Sequence, residues 1–336
     1  MIAILADDFS GAAELAGIAA ARGYKAEVQT VFDPASDAEV IAVDTDTRLK
    51  SEDEAASVVG EITRKVVAAQ PAWIYKKTDS VMRGHIRAEI EAILDATGFS
   101  QCVFIPANPS KERVIRSGHY FVNGVPLKQT VFADDPDHPR RSSDLRSLLG
   151  ESTRILSPDA TSLEDLPHDL APQTLAAGAA DFFSALLPAR APTQTLATTS
   201  RTLLLCGSLA AWDTGRAQQM RELGFEVRTL DEVVSASVWQ NTSKLMLAIG
   251  RPENDGGVNM TERLIETALP LLLNTHDLRI GLEGGATAIA FILRMHWTRF
   301  EVIAEGHIGV GTLRPPGGPL LCVKPGSYPW PESFLD

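Results

Sequence analysis

The chain has 336 residues, of which 44% are hydrophobic and 22% charged, and its net charge is -12. These values are typical of a globular protein that is long enough for two domains. The negative charge argues against nucleic acid or an anionic membrane as the main partner, although a few local cations could still bind a small anion. The three cysteines are far apart and lie within apolar runs, which predicts buried, reduced thiols: Cys102, Cys206 and Cys322.

The first residues do not resemble a signal peptide. They lack a basic start, and Asp7 and Asp8 interrupt the apolar run. No stretch of the sequence approaches the length of a membrane span. We therefore expect a cytoplasmic protein that has neither a membrane nor a nucleic acid as its partner, and a homo-oligomer is left open.

Four apolar runs in the first third of the chain end at polar or charged residues. Runs of this kind predict buried strands. In a parallel sheet all carboxyl ends lie at one edge, where ligands bind, so the sequence predicts a polar pocket there. The polar ends are Asp7-Asp8, Asp44 to Arg48, Lys76 to Ser80, and Asn108.

Helical patterns separate these strands. Small residues from Ala12 to Ala21 precede a stop at Gly23, and Ser51 with Glu54 forms a capping-box pattern. Alternating strands and helices favour right-handed βαβ units in a parallel sheet. Residues 106–147 are rich in Pro, Asp, Arg, Ser and Gly, which predicts loops with a hairpin near 119–131.

A second alternating block begins at Thr202, after a stretch at 188–200 that resembles a linker. The predicted fold is α/β with two domains, 1–190 and 200–336. Each would be a mostly parallel sheet flanked by helices, with an inter-domain cleft. Helices are predicted at 260–273 and 286–294, and strands at TLLLC, KLMLAIG, RIGLEGG, FEVIAEG and LLCVKPG.

Glycine turns follow three strands of this second block: Gly207-Ser208, Gly284-Gly285 and Lys324-Pro325-Gly326. The first two open predicted helices, so free N–H groups and the positive helix end would face a bound anion. Together the turns favour nucleotide binding. The sequence contains neither a GxxxxGK[ST] loop nor a GxGxxG fingerprint, which argues against a Walker-type NTPase and an ordinary Rossmann dehydrogenase.

The charged strand ends suit a small polyhydroxylated acid. Arg48 and Lys77 can hold a carboxylate, whereas Asp7 and Asp8 can accept hydrogen bonds from hydroxyls. Asp79, as an acceptor, and Ser80 add further polar groups at the same edge. A binding site is therefore favoured over a set of unrelated salt-bridged loop ends.

An anion-binding domain that faces a hydroxy-acid pocket has the parts that phosphoryl transfer requires. Arg83 could reach the transferred phosphoryl group. Asp7, Asp8 or Asp79 could accept the proton of the attacking hydroxyl, and the sequence does not choose among them.

Several motifs resemble those of the four-carbon acid sugar kinase family. The specific ones are ADDFSGAAELA, DTDTR and KKTDSVMRG, and residues 106–139 follow the family's Pro-rich central segment loosely. CGS, GGATA and KPGSY are similar to its nucleotide-domain motifs. The resemblance runs in order over nearly the whole chain.

This resemblance implies an ATP-dependent kinase of carbohydrate metabolism that phosphorylates a hydroxyl of threonate, erythronate or a 3-oxo-tetronate-like acid. The first domain would hold the acid and the second would hold ATP. Mg²⁺ is expected because ATP chemistry needs charge neutralisation, although no ligand set is visible. The implied acid contacts are Asp7 or Asp8, Arg48, Lys76, Lys77, Thr78, Asp79 and Ser80. The implied ATP contacts are Ser208, Glu283, Gly284, Gly285, Ala286, Thr287 and Gly326.

Two departures from the family pattern keep a second hypothesis open. Ala286 stands where the family often has an acidic residue, and Ala210 where it often has a second serine. The alternative is a degenerate kinase that binds acid sugar or nucleotide as a sensor without turnover.

Overall fold

The computed structural model divides the chain into two compact units, Met1–Pro192 and Thr193–Asp336. Most of the predicted linker and the predicted nucleotide contact Gly326 lie outside the described residues. The structure describes residues 1–135, 137–191, 199–213, 215–232, 236–251, 259–272, 277–303, 310–324, 330 and 334.

The first unit is built around one sheet in which every pair of neighbouring strands is parallel. Its strands are β1 (Ile2–Ala6), β2 (Ala26–Gln29), β3 (Val40–Asp44), β4 (Trp73–Lys77), β5 (Gln101–Ile105), β9 (Ile155–Leu156) and β10 (Thr174–Gly178). They lie in the order β2-β3-β1-β4-β10-β5-β9. The helices of this unit are α1 (Phe9–Ala21), α2 (Glu52–Ala68), α3 (Ile86–Thr97), α4 (Leu145–Leu149) and α5 (Ala180–Leu186).

Local signals explain where the helices begin and end. The capping box at Ser51 and Glu54 is formed and starts α2. Small alanines on α1 allow it to pack closely, and the chain turns at Gly23, which has a φ of +83°. Every residue of β1 and β3 is buried, as the apolar runs predicted.

The path of the chain creates a crevice between β1 and β4. After β1 the chain runs through α1 toward the edge of the sheet where β2 lies. After β4 it runs through α3 in the opposite direction, toward β5. Such a point of reversal is where open α/β sheets bind ligands, outside the carboxyl ends of the strands.

The Pro-rich central segment differs from its prediction in detail. It forms a three-stranded antiparallel sheet of β6 (Arg113–Arg116), β7 (His119–Val122) and β8 (Val125–Pro126), so the hairpin begins earlier than expected. Strand β10, with the sequence TLAAG, had no prediction, because small residues carry a weak strand signal.

The second unit also has one main sheet. Its strands are β11 (Arg201–Cys206), β12 (Glu226–Thr229), β13 (Lys244–Ala248), β14 (Leu278–Glu283), β15 (Arg299–Ile303), β16 (Gly311–Arg314) and β17 (Leu320–Lys324). Their order is β12-β13-β11-β14-β17-β16-β15, in which the pairs from β12 to β17 are parallel and the last two are antiparallel. The helices are α6 (Leu209–Asp213), α7 (Arg216–Glu222), α8 (Ala236–Asn241), α9 (Met260–Leu272) and α10 (Gly285–Arg294).

These findings confirm the predicted α/β class and the mostly parallel sheets. Buried apolar residues such as Leu204, Met246 and Phe334 form the core of the second unit. The three cysteines are free and buried, as expected. No helix in the described part of the chain is both long and apolar enough to span a membrane.

Candidate functional site

Arg48 joins two loops at the β1/β4 crevice, the loop after β3 to which it belongs and the loop after β1. Its Nε and Nη2 donate to the two carboxylate oxygens of Asp7, at 2.7 and 2.9 Å. Its Nη1 donates to Asp8 at 2.9 Å. Residues about 40 positions apart are thus brought together, as the shared sheet edge predicted. Burial alone would raise the pKa of Asp7, but Arg48 and Lys76 hold it below its usual value.

Asp8 also caps α1. One of its oxygens accepts a hydrogen bond from the backbone N–H of Gly11 at 2.9 Å, and the other accepts from the Ser10 hydroxyl at 2.6 Å. Its side chain is 19% exposed, compared with 4% for Asp7 and 9% for Asp79. It is therefore the most accessible of the three carboxylates.

Asp79 organises the loop after β4. One carboxylate oxygen accepts from the backbone N–H groups of Val81 and Arg83, at 2.9 and 3.2 Å, and the other accepts from Arg83 Nη2 at 2.8 Å. Burial opposes the ionised form, but Arg83 and Arg48 hold the pKa of Asp79 well below its usual range. A carboxylate in this state is a weak base.

Lys77 lies on the α1 side of the sheet in an ion-paired triad that the sequence did not reveal. Its Nζ is 3.3 Å from Glu14, and Lys111 Nζ is 2.9 Å from the other oxygen of the same carboxylate. Burial would raise the pKa of Glu14, but the two lysines lower it to about 2. One carboxylate is therefore shared by two ammonium groups.

Lys76, the neighbour of Lys77, is fully buried. Its Nζ pairs with Glu89 of α3, and Glu89 also accepts from the Thr47 hydroxyl at 2.7 Å. Its ammonium group therefore acts on the site through its charge, which lowers the pKa of Asp7. Direct contact between Lys76 and an acid stays a prediction.

The remaining residues of this predicted set shape the crevice. The Ser80 hydroxyl accepts from Arg113, and its carbonyl accepts from the Tyr120 hydroxyl. The Asn108 side chain accepts from the backbone N–H of Asp181 at 2.9 Å, which fits a role in the wall.

Buried polar atoms without hydrogen-bond partners among the described residues collect at this edge. They include Asp44 Oδ2, Thr78 Oγ1, Arg83 Nε and Arg140 Nε. Burial raises the pKa of Asp44 well above its usual value, because it disfavours the ionised carboxylate. Such orphaned groups are uncommon in folded proteins, and here they mark a place that a polar ligand would complete.

Asp135, His138 and Arg140 lie against this site, although the sequence indicated only a loop. Asp135 Oδ2 is 3.7 Å from Arg83 Nη1, and His138 Nε2 donates to the Arg48 carbonyl at 2.7 Å. Asp79, Asp135 and Arg83 all act electrostatically on Arg140. The density of charged residues in this segment was the available signal, but charged loops are usually solvated.

In the second unit the first two glycine turns lie side by side. A Cβ at Gly207 would lie 1.9 Å from Thr287 Oγ1, and one at Gly284 would lie 3.9 Å from Ser208 Cβ. They follow β11 and β14, where the chain again leaves in opposite directions. The Ser208 hydroxyl accepts from the backbone N–H of Ala211 at 3.2 Å.

Helix α10 begins at these turns, and Gly284, with a φ of +112°, precedes its first residue. The first N–H groups of a helix have no partner within the helix, so those of Gly285, Ala286 and Thr287 are available to an anion. The two turns approach so closely that a side chain on Gly207 would overlap the side chain of Thr287. Binding of a nucleotide by these residues stays a prediction.

Glu283 lies beneath the turns rather than at their surface. It is fully buried, and its Oε1 is 2.5 Å from Lys324 Nζ and 3.0 Å from Arg216 Nη2. It therefore joins the ends of β14 and β17 to α7. A direct contact between Glu283 and ATP stays a prediction, and the visible role of its carboxylate is to hold these elements together.

A metal site was expected only from ATP chemistry. Within the ranges that the structure describes, no group of three His, Cys, Asp or Glu residues is arranged to hold a metal ion. The carboxylates at the β1/β4 crevice are instead bonded to arginines. These residues do not form a protein cage for Mg²⁺, which binds mainly through phosphates and water in many nucleotide sites.

A groove of about 1560 Å³ beside β9 lies apart from both sets of residues. Arg154 there pairs with Glu91 and Asp95, and Asp159 accepts from the backbone N–H groups of Ser117 and Gly118. Because these charges are satisfied within the fold, we assign the groove no function.

Comparison with known proteins gives consistent matches. The model of a sugar-binding N-terminal domain family matches residues 2–188. The D-threonate kinase of Salmonella typhimurium is 34% identical over 155 residues, which cover 45% of this chain and 37% of that protein. The D-erythronate kinase of Heliobacterium modesticaldum is 35% identical over 144 residues, covering 41% and 33%. The matched part is thus less than half the length of these curated relatives.

Among solved structures, a protein of Haemophilus influenzae superposes with a TM-score of 0.76 at 17% identity. The match covers 99% of this chain and 98% of that protein. At this identity the likeness concerns the fold. The family match spans more than half of the chain and includes the charged edge of the first sheet. The chain belongs to the four-carbon acid sugar kinase family and contains that family's sugar-binding N-terminal domain.

Proposed function

We propose that the protein phosphorylates a hydroxyl of a small sugar acid, such as threonate, erythronate or 3-oxo-tetronate, with ATP as the phosphoryl donor. The observation that carries the proposal is the cluster of Asp7, Asp8, Arg48 and Asp79 at the β1/β4 crevice. Carboxylates held in place by a guanidinium are suited to accept hydrogen bonds from several hydroxyls at once. The names of the relatives support the same substrate class.

In this proposal Asp8 accepts the proton of the attacking hydroxyl. It is the most exposed of the three candidates, and Arg83 and Arg48 hold the pKa of Asp79 well below its usual range, which makes Asp79 a weak base. Asp7 orients the substrate and is itself oriented by Arg48. Arg83 neutralises negative charge on the transferred group, and Asp79 keeps its guanidinium in position.

The second unit would hold ATP at Gly207-Ser208 and at Gly284 to Thr287. Bound ATP supplies the transferable phosphoryl group, with Mg²⁺ to neutralise its charge. The chain's own contribution is to offer backbone N–H groups and to exclude side chains from the phosphate position. Gly326, the cleft between the two domains and the cytoplasmic location stay predictions.

The test is to mix the purified protein with ATP, Mg²⁺ and a panel of four-carbon acids, and to measure ADP release together with the mass of the product. We expect ADP and a monophosphorylated acid in equal amounts with at least one member of the panel. ADP release no higher than without acid, for every member, would refute kinase activity on this substrate class.

The second candidate is a sensor that binds acid or nucleotide without turnover. It is favoured by Ala286, where the family often has an acidic residue. Thermal-shift measurements separate the two, because a sensor would be stabilised by ligand yet form no phosphorylated acid.

A further inference from the structure

The proposed site contains several cations, and most of them are already committed to carboxylates of the protein. Arg48 is bonded to both oxygens of Asp7 and to Asp8. Arg83 is bonded to Asp79 and faces Asp135. The sequence had pointed to Arg48 as the clamp for the substrate carboxylate, but that guanidinium would have to leave its own partners to act as one.

Lys77, the other cation predicted to hold the carboxylate, is committed as well. Its Nζ is 3.3 Å from Glu14 and donates to the Thr78 carbonyl at 2.9 Å. Its side chain is buried. It can lend positive charge to the site, but its donors point toward groups of the protein.

Arg140 differs from these residues. It is half-buried, it belongs to no ion pair among the described residues, and its Nε has no hydrogen-bond partner there. Burial lowers its pKa, while Asp79 and Asp135 act in the opposite direction. A partly desolvated guanidinium that is left unpaired is costly, and a bound anion would remove that cost.

The backbone around Arg140 is held against the site. Its N–H donates to the Phe132 carbonyl at 2.9 Å. His138 anchors the same loop to the Arg48 carbonyl, and Asp135 faces Arg83. The position of Arg140 is therefore set by contacts with residues of the proposed site.

We infer that Arg140 binds the carboxylate of the acid substrate. The planar fork of a guanidinium matches a carboxylate in a bidentate manner, which also fixes the direction of the carbon chain. Asp7 and Asp8 then contact the hydroxyls, and Arg48 serves to hold those two carboxylates. This assignment rests on the proposed function, since it takes a sugar acid as the ligand.

The test compares two ligands and three proteins by isothermal titration calorimetry. The ligands are the acid that the wild-type protein phosphorylates and the neutral amide of that acid, which keeps the hydroxyls but lacks the charge. The proteins are the wild type, Arg140→Gln, and the matched control Arg141→Gln, which removes the same charge from the neighbouring, exposed residue. Thermal melting checks that each variant is folded.

We expect Arg140→Gln to weaken binding of the acid at least tenfold and to leave binding of the amide within about twofold, with Arg141→Gln close to wild type. Arg140→Lys should recover part of the affinity, because it keeps the charge but loses the fork.

Two results would overturn the inference while leaving the proposed function intact. One is equal acid affinity in Arg140→Gln and Arg141→Gln. The other is unchanged acid affinity in Arg140→Gln with slower turnover at saturating acid, which would place Arg140 on the phosphoryl group. If the wild-type protein bound and phosphorylated no acid of the panel, the proposed function would fail and the inference with it.

Discussion

The two units share the order of their first four strands and differ in the loops that leave those strands. In the first unit the order is β2-β3-β1-β4, and in the second it is β12-β13-β11-β14, with parallel pairing throughout both sets. In both units the direction of the chain across the sheet reverses at the two adjacent strands β1 and β4, or β11 and β14. The first unit fills that position with charged side chains, and the second fills it with glycine turns.

The correspondence extends to single residues. Asp8 and Ser208 are each the second residue after the first strand of their unit. Each accepts a hydrogen bond from the N–H three residues further on, that of Gly11 or of Ala211. The same capping position therefore carries a carboxylate in one unit and a neutral hydroxyl in the other. A shared backbone plan thus presents charged carboxylates in one unit and neutral groups in the other.

The largest expected effect concerns the buried lysine–glutamate pair that each unit contains. The pairs are Lys76–Glu89 in the first unit and Lys324–Glu283 in the second. Glu283 still has Arg216 as an ion-pair partner when Lys324 is replaced, whereas the ion pair described for Glu89 is the one with Lys76. We expect Lys76→Met to lower the free energy of unfolding by roughly 3–5 kcal/mol, because it leaves a buried charge unpaired, and Lys324→Met to lower it by clearly less. Urea denaturation measures both.

A control for this comparison is Lys65→Met, which breaks the exposed pair with Glu61 on α2 and should change stability by about 0.5 kcal/mol or less. Equal losses in Lys76→Met and Lys324→Met would show that Arg216 does not compensate for the missing ammonium group.

The second prediction contrasts Asp8 with Ser208. Asp8→Asn keeps the helix cap but removes the proton acceptor, so kcat should fall about 100-fold with little change in the KM for ATP. Ser208→Ala should instead raise the KM for ATP and leave kcat within a few-fold. Steady-state kinetics against both substrates decide this. A kcat of Asp8→Asn within a few-fold of wild type would show that Asp8 is not the base.

The third prediction concerns the loss of folding stability at low pH, to which Glu14 of the first unit should contribute. The pKa of Glu14 is lowered from 4.5 to about 2 in the folded state. A depressed carboxyl pKa adds stability that is complete above pH 4.5 and is lost as the pH falls toward 2. We expect Glu14→Gln to cost about 2 kcal/mol at pH 7, and the difference from wild type to shrink between pH 4.5 and 2.

The matched variant in the second unit is Glu266→Gln, which breaks an exposed pair with Arg294. It should show a small difference from wild type over the same pH range. A difference between Glu14→Gln and wild type that does not change with pH would contradict the assigned cause.

The smallest expected effect concerns the contact between the two glycine turns. In Gly207→Ala the new methyl group would lie 1.9 Å from Thr287 Oγ1, so the Thr287 side chain or one of the turns must shift. We expect roughly tenfold weaker ATP binding, about 1.4 kcal/mol, with acid binding unchanged. Combining it with Thr287→Ala should restore part of the affinity.

Gly60→Ala is the control in the first unit, because the nearest atoms to its new methyl group would be 3.7 Å away or more. It should leave ATP binding unchanged. Unaltered ATP affinity in Gly207→Ala would remove the turns from the nucleotide site.

The sequence predicted the strands, their polar ends and the helix starts because these depend on short-range patterns. Runs such as IAILA reveal burial, and Ser51 with Glu54 reveals a cap, from a few neighbouring residues. The shared edge of a parallel sheet then predicted that Asp7, Arg48 and Asp79 would meet. Strand β10 was missed because its small residues gave no clear apolar run.

The sequence by itself therefore determined the α/β class, the family and the residues that gather at each sheet edge. Only the tertiary structure decided which charges neutralise one another, for instance that Arg48 is committed to Asp7 while Arg140 is left without an ion pair among the described residues. The physical reason is range. Arg48 and Asp7 lie 41 residues apart in the sequence, and their pairing depends on which strands are neighbours and on burial, which no local pattern encodes.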